Sequence, residues 1–288
     1  MIVAVASGKG GTGKTTAAAN LARVSGAALL DCDVEEPNAH LFLKGDPLGA
    51  PEVVSIRVPE VDEARCDGCG ECGRFCAFKA LAVLGRRVLV FPELCHGCGG
   101  CERVCPKGAI REVPRRIGVV ETFRADGVTL IQGRLDVGVA MAPPLIRAVK
   151  ARTPAQGDAI LDAPPGTSCP VVATLREADY VVLVTEPTPF GLYDLKLAVA
   201  VVRELRIPFG VVINRADCGD GRTRDFCREA WIPVLAEIPD DRRVAEAYSR
   251  GELAADALPE YRGVFAQLWD RISGNGTPGA QRAAEEEK

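Results

Sequence analysis

The chain has 288 residues, of which 47% are hydrophobic and 26% charged, and its net charge is −4. This composition is typical of a globular protein, and the length favours about two domains. The small negative charge gives no reason to expect a nucleic-acid partner, and no run of about 18 apolar residues predicts a membrane span.

An apolar strand and a glycine-rich loop open the chain. Residues 2–6, IVAVA, predict a short buried parallel strand, and residues 14–25 have helical composition. Between them, residues 8–15, GKGGTGKT, fit the phosphate-binding pattern G-x4-G-K-[ST] in the strand–loop–helix context that this motif requires. We expect Lys14 to contact the β- and γ-phosphates of a nucleotide and the Thr15 hydroxyl to bind Mg²⁺. The predicted nucleotide-binding residues of this segment are Gly8, Gly10, Gly11, Thr12, Gly13, Lys14, Thr15 and Thr16.

The rest of the chain outside its cysteine-rich part alternates strands with helices. A strand at 27–31 ends in acidic residues, whereas 37–58 is rich in proline and glycine and carries no assignment. Residues 115–137 predict short strands with turns at Asp126 and Gly127 and at Gly133. Further strands are predicted at 158–162, 180–185, 209–213 and 234–238, and helices at 143–152, 170–178, 191–205, 222–230, 242–250 and 259–273. This alternation predicts an α/β fold, a mostly parallel sheet with helices on both faces.

Eight of the twelve cysteines form two copies of one spacing, C-x2-C-x2-C-x3-C. The copies are Cys66, Cys69, Cys72 and Cys76, then Cys95, Cys98, Cys101 and Cys105. This spacing is typical of two [4Fe-4S] clusters, in which the fourth cysteine of each run binds the other cluster. Two alternatives are less favoured. Zinc sites prefer pairs of C-x2-C, and disulfide-rich secreted scaffolds are usually short. A β-ribbon is predicted between the copies, at 80–91.

These patterns predict one domain inserted into another. We expect a discontinuous phosphate-loop domain at 1–58 and 114–273, and a small α+β domain of the bacterial ferredoxin type at 59–113 that folds around its clusters. Residues 274–288 are polar and predict a disordered tail. The N-terminal sequence lacks the basic segment and cleavage site of an export signal, and cysteines that bind metal rather than each other indicate a cytoplasmic protein.

Lys9 adds a second lysine to the phosphate loop, and GKGGTGKT resembles the deviant Walker A motif of the MinD/ParA/Mrp-superfamily ATPases. The resemblance implies that the nucleotide is ATP and that it is hydrolysed. It also implies that Lys9 crosses a dimer interface to the partner's nucleotide, where such a cation is worth about 10³–10⁵ in rate. The partner subunit would be a second copy of the chain or a paralogous ATPase.

The same resemblance assigns roles near the phosphates. Asp33 occupies the switch I position and would orient or deprotonate the attacking water, with Asp31 a weaker candidate. Asp162, in the segment DAPPGT, is similar to the Walker B and switch II segment and would hold Mg²⁺ through water. Gly166 in that segment would sense the γ-phosphate through its backbone N–H.

Roles at the base follow from the resemblance as well. Asn214, after the strand FGVVI, is similar to the adenine-contacting asparagine of the family. Pro239 and Asp240, in AEIPDD, resemble the loop that closes over the base. Asp and Asn at strand ends are also common helix caps, and for Asp240 that alternative stays open.

The combination of this loop with the cysteine runs resembles MinD-superfamily P-loop ATPases that carry an inserted two-cluster ferredoxin domain. The resemblance implies a Mg-dependent ATPase that couples a nucleotide-dependent switch to electron transfer with a redox or metalloprotein partner. Two alternatives stay open: an ATPase that assembles or carries iron-sulfur clusters or metallocofactors, and a ParA/MinD-like positioning protein with a redox sensor. Cys169 lies near the position of a cluster ligand in the nitrogenase iron protein, but we expect a small buried thiol there, and we expect Cys32 to point into the sheet.

Overall fold

A ten-stranded, mostly parallel sheet forms the centre of the computed structural model, which describes residues 1–275. The strands of residues 1–275 are β1 Ile2–Ala6, β2 Ala28–Asp31, β3 Asp46–Pro47, β4 Glu52–Val61, β5 Leu81–Leu84, β6 Arg87–Val90, β7 Ile110–Ala125, β8 Val128–Leu135, β9 Ala159–Asp162, β10 Tyr180–Thr185, β11 Phe209–Asn214 and β12 Val234–Ile238. All of these belong to the large sheet except β5 and β6, which form a separate two-stranded sheet. The helices are α1 Lys14–Ser25, α2 Glu71–Phe75, α3 Gly100–Arg103, α4 Ala142–Lys150, α5 Cys169–Leu175, α6 Pro189–Leu205, α7 Arg222–Glu229, α8 Arg242–Ser249, α9 Ala254–Ala257 and α10 Pro259–Asn275.

The large sheet has the strand order β12-β11-β10-β1-β9-β2-β8-β7-β3, and β4 also pairs with β7. Every pair from β12 to β8 is parallel, whereas β7 runs antiparallel to β8, β3 and β4. Parallel strands are buried on both faces, which explains the unbroken apolar runs of β1 and β10. The predicted α/β class with a mostly parallel sheet is confirmed.

Helices cover both faces of the sheet, as predicted. One face packs against Leu145 and Ile146 of α4 and Val199 of α6, and the other against Leu21 of α1 and Phe265 of α10. All five side chains are buried, and each such burial is worth about 1.5–3 kcal/mol. No helix within residues 1–275 is long and apolar enough to cross a membrane.

A long antiparallel ribbon continues the sheet beyond β8. β4 and β7 pair from Glu52 opposite Val120 to Val61 opposite Ile110. The turn expected at Asp126 and Gly127 joins β7 to β8, and both residues have positive φ, 46° and 87°. The expected domain boundaries at 58/59 and 113/114 fall inside the paired strands, so the ribbon leads directly into the cysteine-rich segment.

The turn predicted at Gly133 is wrong. Gly133 lies inside β8, opposite Val120 of β7. A Cβ at this position would lie 2.5 Å from Cγ1 of Val34 and 2.8 Å from Cγ2 of Val149. Glycine is therefore required by close packing against the loop after β2 and against α4, rather than by a change in chain direction.

The segment between β4 and β7 contains the short helices α2 and α3 and the predicted hairpin, formed by β5 and β6. Its small core groups Cys72 and Cys101 with Leu81 and Ile110. At the other end of the chain, α10 extends to Asn275, and the remainder of the tail expected from 274 lies outside the described residues.

Candidate functional site

The phosphate loop joins β1 to α1 at the carboxyl edge of the sheet. Gly11 and Gly13 have φ values of 80° and 90°, which favour glycine. A Cβ at Gly13 would also lie 2.5 Å from Nδ2 of Asn214. Helix α1 begins at Lys14, so its unpaired N–H groups and the positive end of its dipole face the loop. The loop can therefore bind phosphate oxygens through backbone donors.

A cavity of about 450 Å³ lies between this loop and the ends of β2, β11 and β12. The predicted site residues that line it are Gly10, Gly11, Gly13, Lys14, Thr15, Thr16, Asp33, Asn214, Pro239 and Asp240. The predicted residues that lie outside its lining are Gly8, Lys9, Thr12, Asp162 and Gly166. The fold thus brings predicted residues from four separate chain segments to one cavity.

One wall of the cavity is apolar and was not anticipated from the sequence. It is formed by Val184, Val244, Tyr248, Tyr261 and Phe265. Apolar and aromatic side chains of this kind usually line pockets for organic ligands. The four-residue spacing of Tyr261 and Phe265 is typical of an apolar helix face and does not by itself indicate a pocket.

Lys14 and Asp162 form a buried ion pair beneath the loop. Lys14 Nζ donates to Asp162 Oδ1 at 2.5 Å. Burial, the largest single cause, lowers the pKa of Lys14, but the charge and hydrogen bond of Asp162 and the charges of Asp33 and Asp31 together outweigh burial, so the pKa is raised. Within residues 1–275, Asp162 Oδ2 is buried without a hydrogen-bond partner, and Thr15 Oγ1 lies 3.4 Å from Lys14 Nζ. An unpaired carboxylate oxygen near a hydroxyl fits hydrated Mg²⁺, which Thr15 and Asp162 would hold.

Asp31 and Asp33 occupy different environments, although Asp31 is the last residue of β2 and Asp33 lies only two residues later. Asp33 is half-buried and lines the cavity. Burial raises the pKa of Asp33 to about 6, with Lys14 opposing the rise and Asp162 adding to it. Asp31 is fully buried, and burial together with the charge of Asp162 raises its pKa to about 7. Only Asp33 is placed to meet a ligand.

Lys9 is paired within its own chain. Lys9 Nζ donates to Glu186 Oε2 at 3.1 Å, and Arg215 Nη1 donates to Glu186 Oε1 at 2.8 Å. The Glu186 side chain is only 10% exposed, so it holds both cations close to the domain surface. The expected reach of Lys9 to a partner's nucleotide stays a prediction.

Gly166 and Asn214 both contact the phosphate loop. The Gly166 N–H donates to the Ser7 carbonyl at 3.0 Å, so in this state it does not face the cavity. Asn214 Nδ2 donates to the Thr12 carbonyl at 2.9 Å. The Asn214 side chain therefore joins the end of β11 to the loop, and its expected contact with adenine stays a prediction.

Asp240 is not a helix cap. Helix α8 is capped by Asp241, whose side chain accepts a hydrogen bond from the Arg243 N–H at 2.8 Å. Asp240 instead donates its own N–H to Asp217 Oδ1 at 2.7 Å and lies 3.5 Å from Arg215 Nε. The helix-cap alternative for Asp240 is therefore wrong, and Asp240 lines the cavity. Its expected role at the base stays a prediction.

The eight motif cysteines converge on two separate cavities. One is lined by Cys66, Cys69, Cys72 and Cys105, and the other by Cys76, Cys95, Cys98 and Cys101. Each set joins three cysteines of one run to the fourth cysteine of the other run. This exchange is the arrangement that proteins with two [4Fe-4S] clusters use.

Backbone N–H groups point at three of these sulfurs. The pairs are Ala80 with Cys76, Gly97 with Cys95 and Ala109 with Cys105, at 3.3–3.4 Å. Among residues 1–275, no group of three or more His, Cys, Asp or Glu side chains is arranged to hold a metal ion. A [4Fe-4S] cluster differs from a single ion because its four ligand sulfurs bind four different iron atoms. Thiols with N–H donors directed at sulfur fit such a cluster.

The other four cysteines are free thiols in two environments. Cys32 and Cys227 are buried, and the expectation for Cys32 is confirmed. Cys169 and Cys218 are exposed. The expectation of a buried Cys169 is wrong, because it is the first residue of α5, and the buried face of that helix begins at Val171.

Comparisons with known proteins agree with this fold. A family model described as the CobQ/CobB/MinD/ParA nucleotide binding domain matches residues 3–254. The chain is 34% identical to the uncharacterized protein MJ0579 of Methanocaldococcus jannaschii over 258 residues, 88% of this chain and 90% of that protein. It is 32% identical to MJ0578 of the same organism over 222 residues, 75% of this chain and 78% of that protein.

A shorter match links the chain to an iron-sulfur protein. The chain is 31% identical to a protein named iron-sulfur cluster carrier protein from Aquifex aeolicus over 116 residues, 35% of this chain and 32% of that protein.

Among solved structures, the chain is similar to MinD from Pyrococcus horikoshii in complex with Mg-ADP, with a TM-score of 0.58, 19% identity and coverage of 96% of this chain and 99% of that chain. At that identity the likeness concerns the fold. Because the family model spans most of its length, the chain belongs to the CobQ/CobB/MinD/ParA family of nucleotide-binding domains.

Proposed function

We propose that the chain is a Mg-dependent ATPase that carries two [4Fe-4S] clusters and couples its nucleotide-dependent switch to electron transfer with a protein partner. The observation that carries the proposal is the sorting of eight cysteines into two exchanged sets of four. A protein that only bound and hydrolysed a nucleotide would need neither set. The membership in a nucleotide-binding family and the cavity beside the phosphate loop support the ATPase part.

The residues around the cavity support binding of the triphosphate. N–H groups at the start of α1 would bind phosphate oxygens, and Lys14 would leave Asp162 for the β- and γ-phosphates, whose charge competes for the ammonium group. Mg²⁺ bound to the Thr15 hydroxyl and, through water, to Asp162 would neutralise charge on the phosphates. The apolar wall with Tyr261 and Phe265 would contact the base.

Asp33 is the residue best suited to act on the attacking water. It lines the cavity and has a pKa raised to about 6, which is close to the working pH of a general base. The water would donate a proton to a carboxylate oxygen of Asp33 while its oxygen bonds to the γ-phosphorus. The bond between the γ-phosphorus and the β–γ bridging oxygen would break, so that ADP leaves with that oxygen. Lys9 would exchange Glu186 for the partner's phosphates, so that turnover depends on assembly of two subunits.

The partner subunit would be a second copy or a paralogue. Two different Methanocaldococcus jannaschii proteins resemble the chain over three quarters or more of its length, which supports a paralogous pair. The electron partner would be a separate redox or metalloprotein.

A hydrogen-bonded path supports coupling between the nucleotide cavity and the cysteine segment. The Leu135 N–H, at the end of β8, donates to the carbonyl of Val34, the residue after Asp33, at 2.9 Å. β8 pairs along β7, and β7 begins one residue after Ala109, whose N–H donates to Cys105 Sγ. Bound clusters would supply one-electron transfer at the end of this path.

An iron-sulfur cluster carrier or assembly ATPase is the second candidate. It is favoured by the match to the Aquifex aeolicus carrier protein, although that match spans only 116 residues. In this case the clusters would be cargo. Transfer of iron and sulfide to an acceptor protein on addition of ATP would favour the carrier, whereas clusters that stay bound and change oxidation state favour the electron-transfer proposal.

The ATPase part is tested by phosphate release from protein purified without air. Lys14→Ala removes the ammonium that meets the phosphates and should abolish turnover, and Lys9→Ala should lower it by about 10³-fold or more if the lysine acts across a dimer. Lys44→Ala is the matched control, because its ammonium donates to the Arg250 carbonyl and Lys44 does not line the cavity, and it should retain wild-type turnover. Full turnover by the Lys14 variant would refute the proposed site.

A further inference from the structure

Both oxygens of the Asp31 carboxylate are occupied by the backbone. Oδ1 accepts the N–H of Asp33 at 3.0 Å, and Oδ2 accepts the N–H groups of Asn38 and Ala39, each at 3.0 Å. The side chain is fully buried and does not line the nucleotide cavity. Both oxygens of Asp31 thus face backbone donors, and the side chain is buried away from the cavity in which a ligand would bind.

These three donors lie at the two ends of one loop segment. The Asp33 N–H is at its start, and those of Asn38 and Ala39 are at its end, so one carboxylate closes residues 33–38 into a ring. Inside the ring, Glu36 donates its N–H to the Asp33 carbonyl at 3.1 Å. Because three backbone N–H groups from both ends of the segment donate to one buried carboxyl group, the ring fixes the backbone that carries the Asp33 side chain.

We propose that Asp31 is a positioning residue, which holds Asp33 at the nucleotide cavity by fixing both ends of segment 33–38 and takes no proton from water itself. The inference rests on the proposed ATPase function of Asp33. It also explains why an acidic residue ends β2 and a second one follows two positions later. Asp31 anchors the loop, and Asp33 faces the ligand.

The neighbouring side chains do not share this role in the structure. Asp162, opposite Asp31 on β9, pairs with Lys14 through Oδ1, and Gln132, opposite on β8, donates to Glu121. Asp162 Oδ2 and Gln132 Oε1 have no hydrogen-bond partner within residues 1–275, whereas the N–H groups of Asp33, Asn38 and Ala39 donate to Asp31. An asparagine at position 31 would keep one acceptor oxygen and turn an NH₂ group toward N–H donors at 3.0 Å. Asp31→Asn should therefore release at least one end of the segment.

The anchor is tested first by amide hydrogen exchange at residue resolution, without nucleotide. In the wild-type protein the amides of Asp33, Asn38 and Ala39 should exchange slowly although they lie in a loop. In Asp31→Asn the protection of the Asn38 and Ala39 amides should fall by about tenfold or more, whereas the matched variant Asp33→Asn should leave it unchanged. Fast exchange of these amides in the wild type, or equal protection in Asp31→Asn, overturns the anchor. The wild-type measurement decides the question even if Asp31→Asn does not fold.

The positioning role is tested by turnover. Asp31→Asn should lower kcat by about 10- to 100-fold and leave KM for ATP within about twofold, because the phosphate contacts stay intact. If Asp31→Asn shows faster amide exchange but an unchanged kcat, the positioning role is overturned. A raised KM for ATP with an unchanged kcat overturns it as well. A wild-type protein that releases no phosphate would refute the proposed function instead, while amide exchange would still test the anchor.

Discussion

At the residue scale, the site concentrates charge in a buried place. Three carboxylates, those of Asp31, Asp33 and Asp162, lie near the single ammonium group of Lys14, and the pKa values of Asp31 and Asp33 are raised to about 7 and about 6. An excess of buried negative charge is unfavourable without a compensating cation. The excess negative charge favours a bound cation, which supports a Mg²⁺ site at Asp162 and Thr15.

Asp33 should make kcat/KM for ATP hydrolysis fall at acidic pH, so that the pH profile has an acid limb. Because its pKa is raised to about 6, the carboxyl takes up a proton as the pH falls through that value, and a protonated group cannot accept one from water. We expect kcat/KM to fall below about pH 6 in the wild type. Asp33→Asn should lower turnover by about 10²–10⁴-fold and abolish this limb. The measurement is steady-state phosphate release against pH at saturating Mg²⁺, and an unchanged limb in Asp33→Asn would contradict the assignment.

Individual residues were predictable from sequence where a short motif fixes them. Lys14 and Thr15 follow from the loop pattern, and Asp162 from the resemblance of the segment DAPPGT to a Walker B and switch II segment. The Lys9–Glu186 pair was not predictable, because its partners are 177 residues apart and meet only when β1 and β10 lie side by side. The three N–H donors on Asp31 depend on the path of the following loop, which no side-chain pattern records.

At the element scale, strongly periodic or apolar segments were predicted well and the ribbon was not. Strands such as β10 and helices such as α6 fall within two residues of their expected limits. β4 was missed because it pairs with one strand, β7, exposes half of its side chains and contains Pro59, which an edge strand tolerates. An exposed edge strand has neither the apolar run nor the clean alternation that indicates a strand.

The packing of β8 against the loop after β2 can be tested at Gly133. Gly133→Ala places a Cβ 2.5 Å from Val34 and 2.8 Å from Val149, so we expect a loss of about 1–3 kcal/mol in the free energy of unfolding. Gly263→Ala is the matched control, because Gly263 lies in α10 with nothing within 4 Å of its added Cβ, and it should gain up to about 1 kcal/mol. Denaturant unfolding measures both, and equal stability of Gly133→Ala and wild type would contradict the close packing.

At the scale of the whole molecule, one continuous ribbon joins a nucleotide-binding domain to a segment with two sets of four cysteines. β7 runs from the cysteine segment to the edge of the large sheet without interruption, and β8 beside it ends next to the loop that carries Asp33. The phosphate-loop pattern predicted the nucleotide-binding domain, and the repeated cysteine spacing predicted the cysteine segment. Neither pattern predicted their connection, because pairing between β4 and β7 joins residues on either side of the cysteine segment.

The central claim, that this family member holds two [4Fe-4S] clusters through exchanged cysteine sets, is tested most directly by iron and acid-labile sulfide analysis of protein purified without air. Wild type should contain iron for two clusters and give electron paramagnetic resonance signals on reduction, and Cys76→Ser should lose about half of the iron. Cys218→Ser, an exposed cysteine outside both cavities, should lose none. A colourless wild-type protein that holds zinc, or a Cys76→Ser variant with the full iron content, would contradict the account.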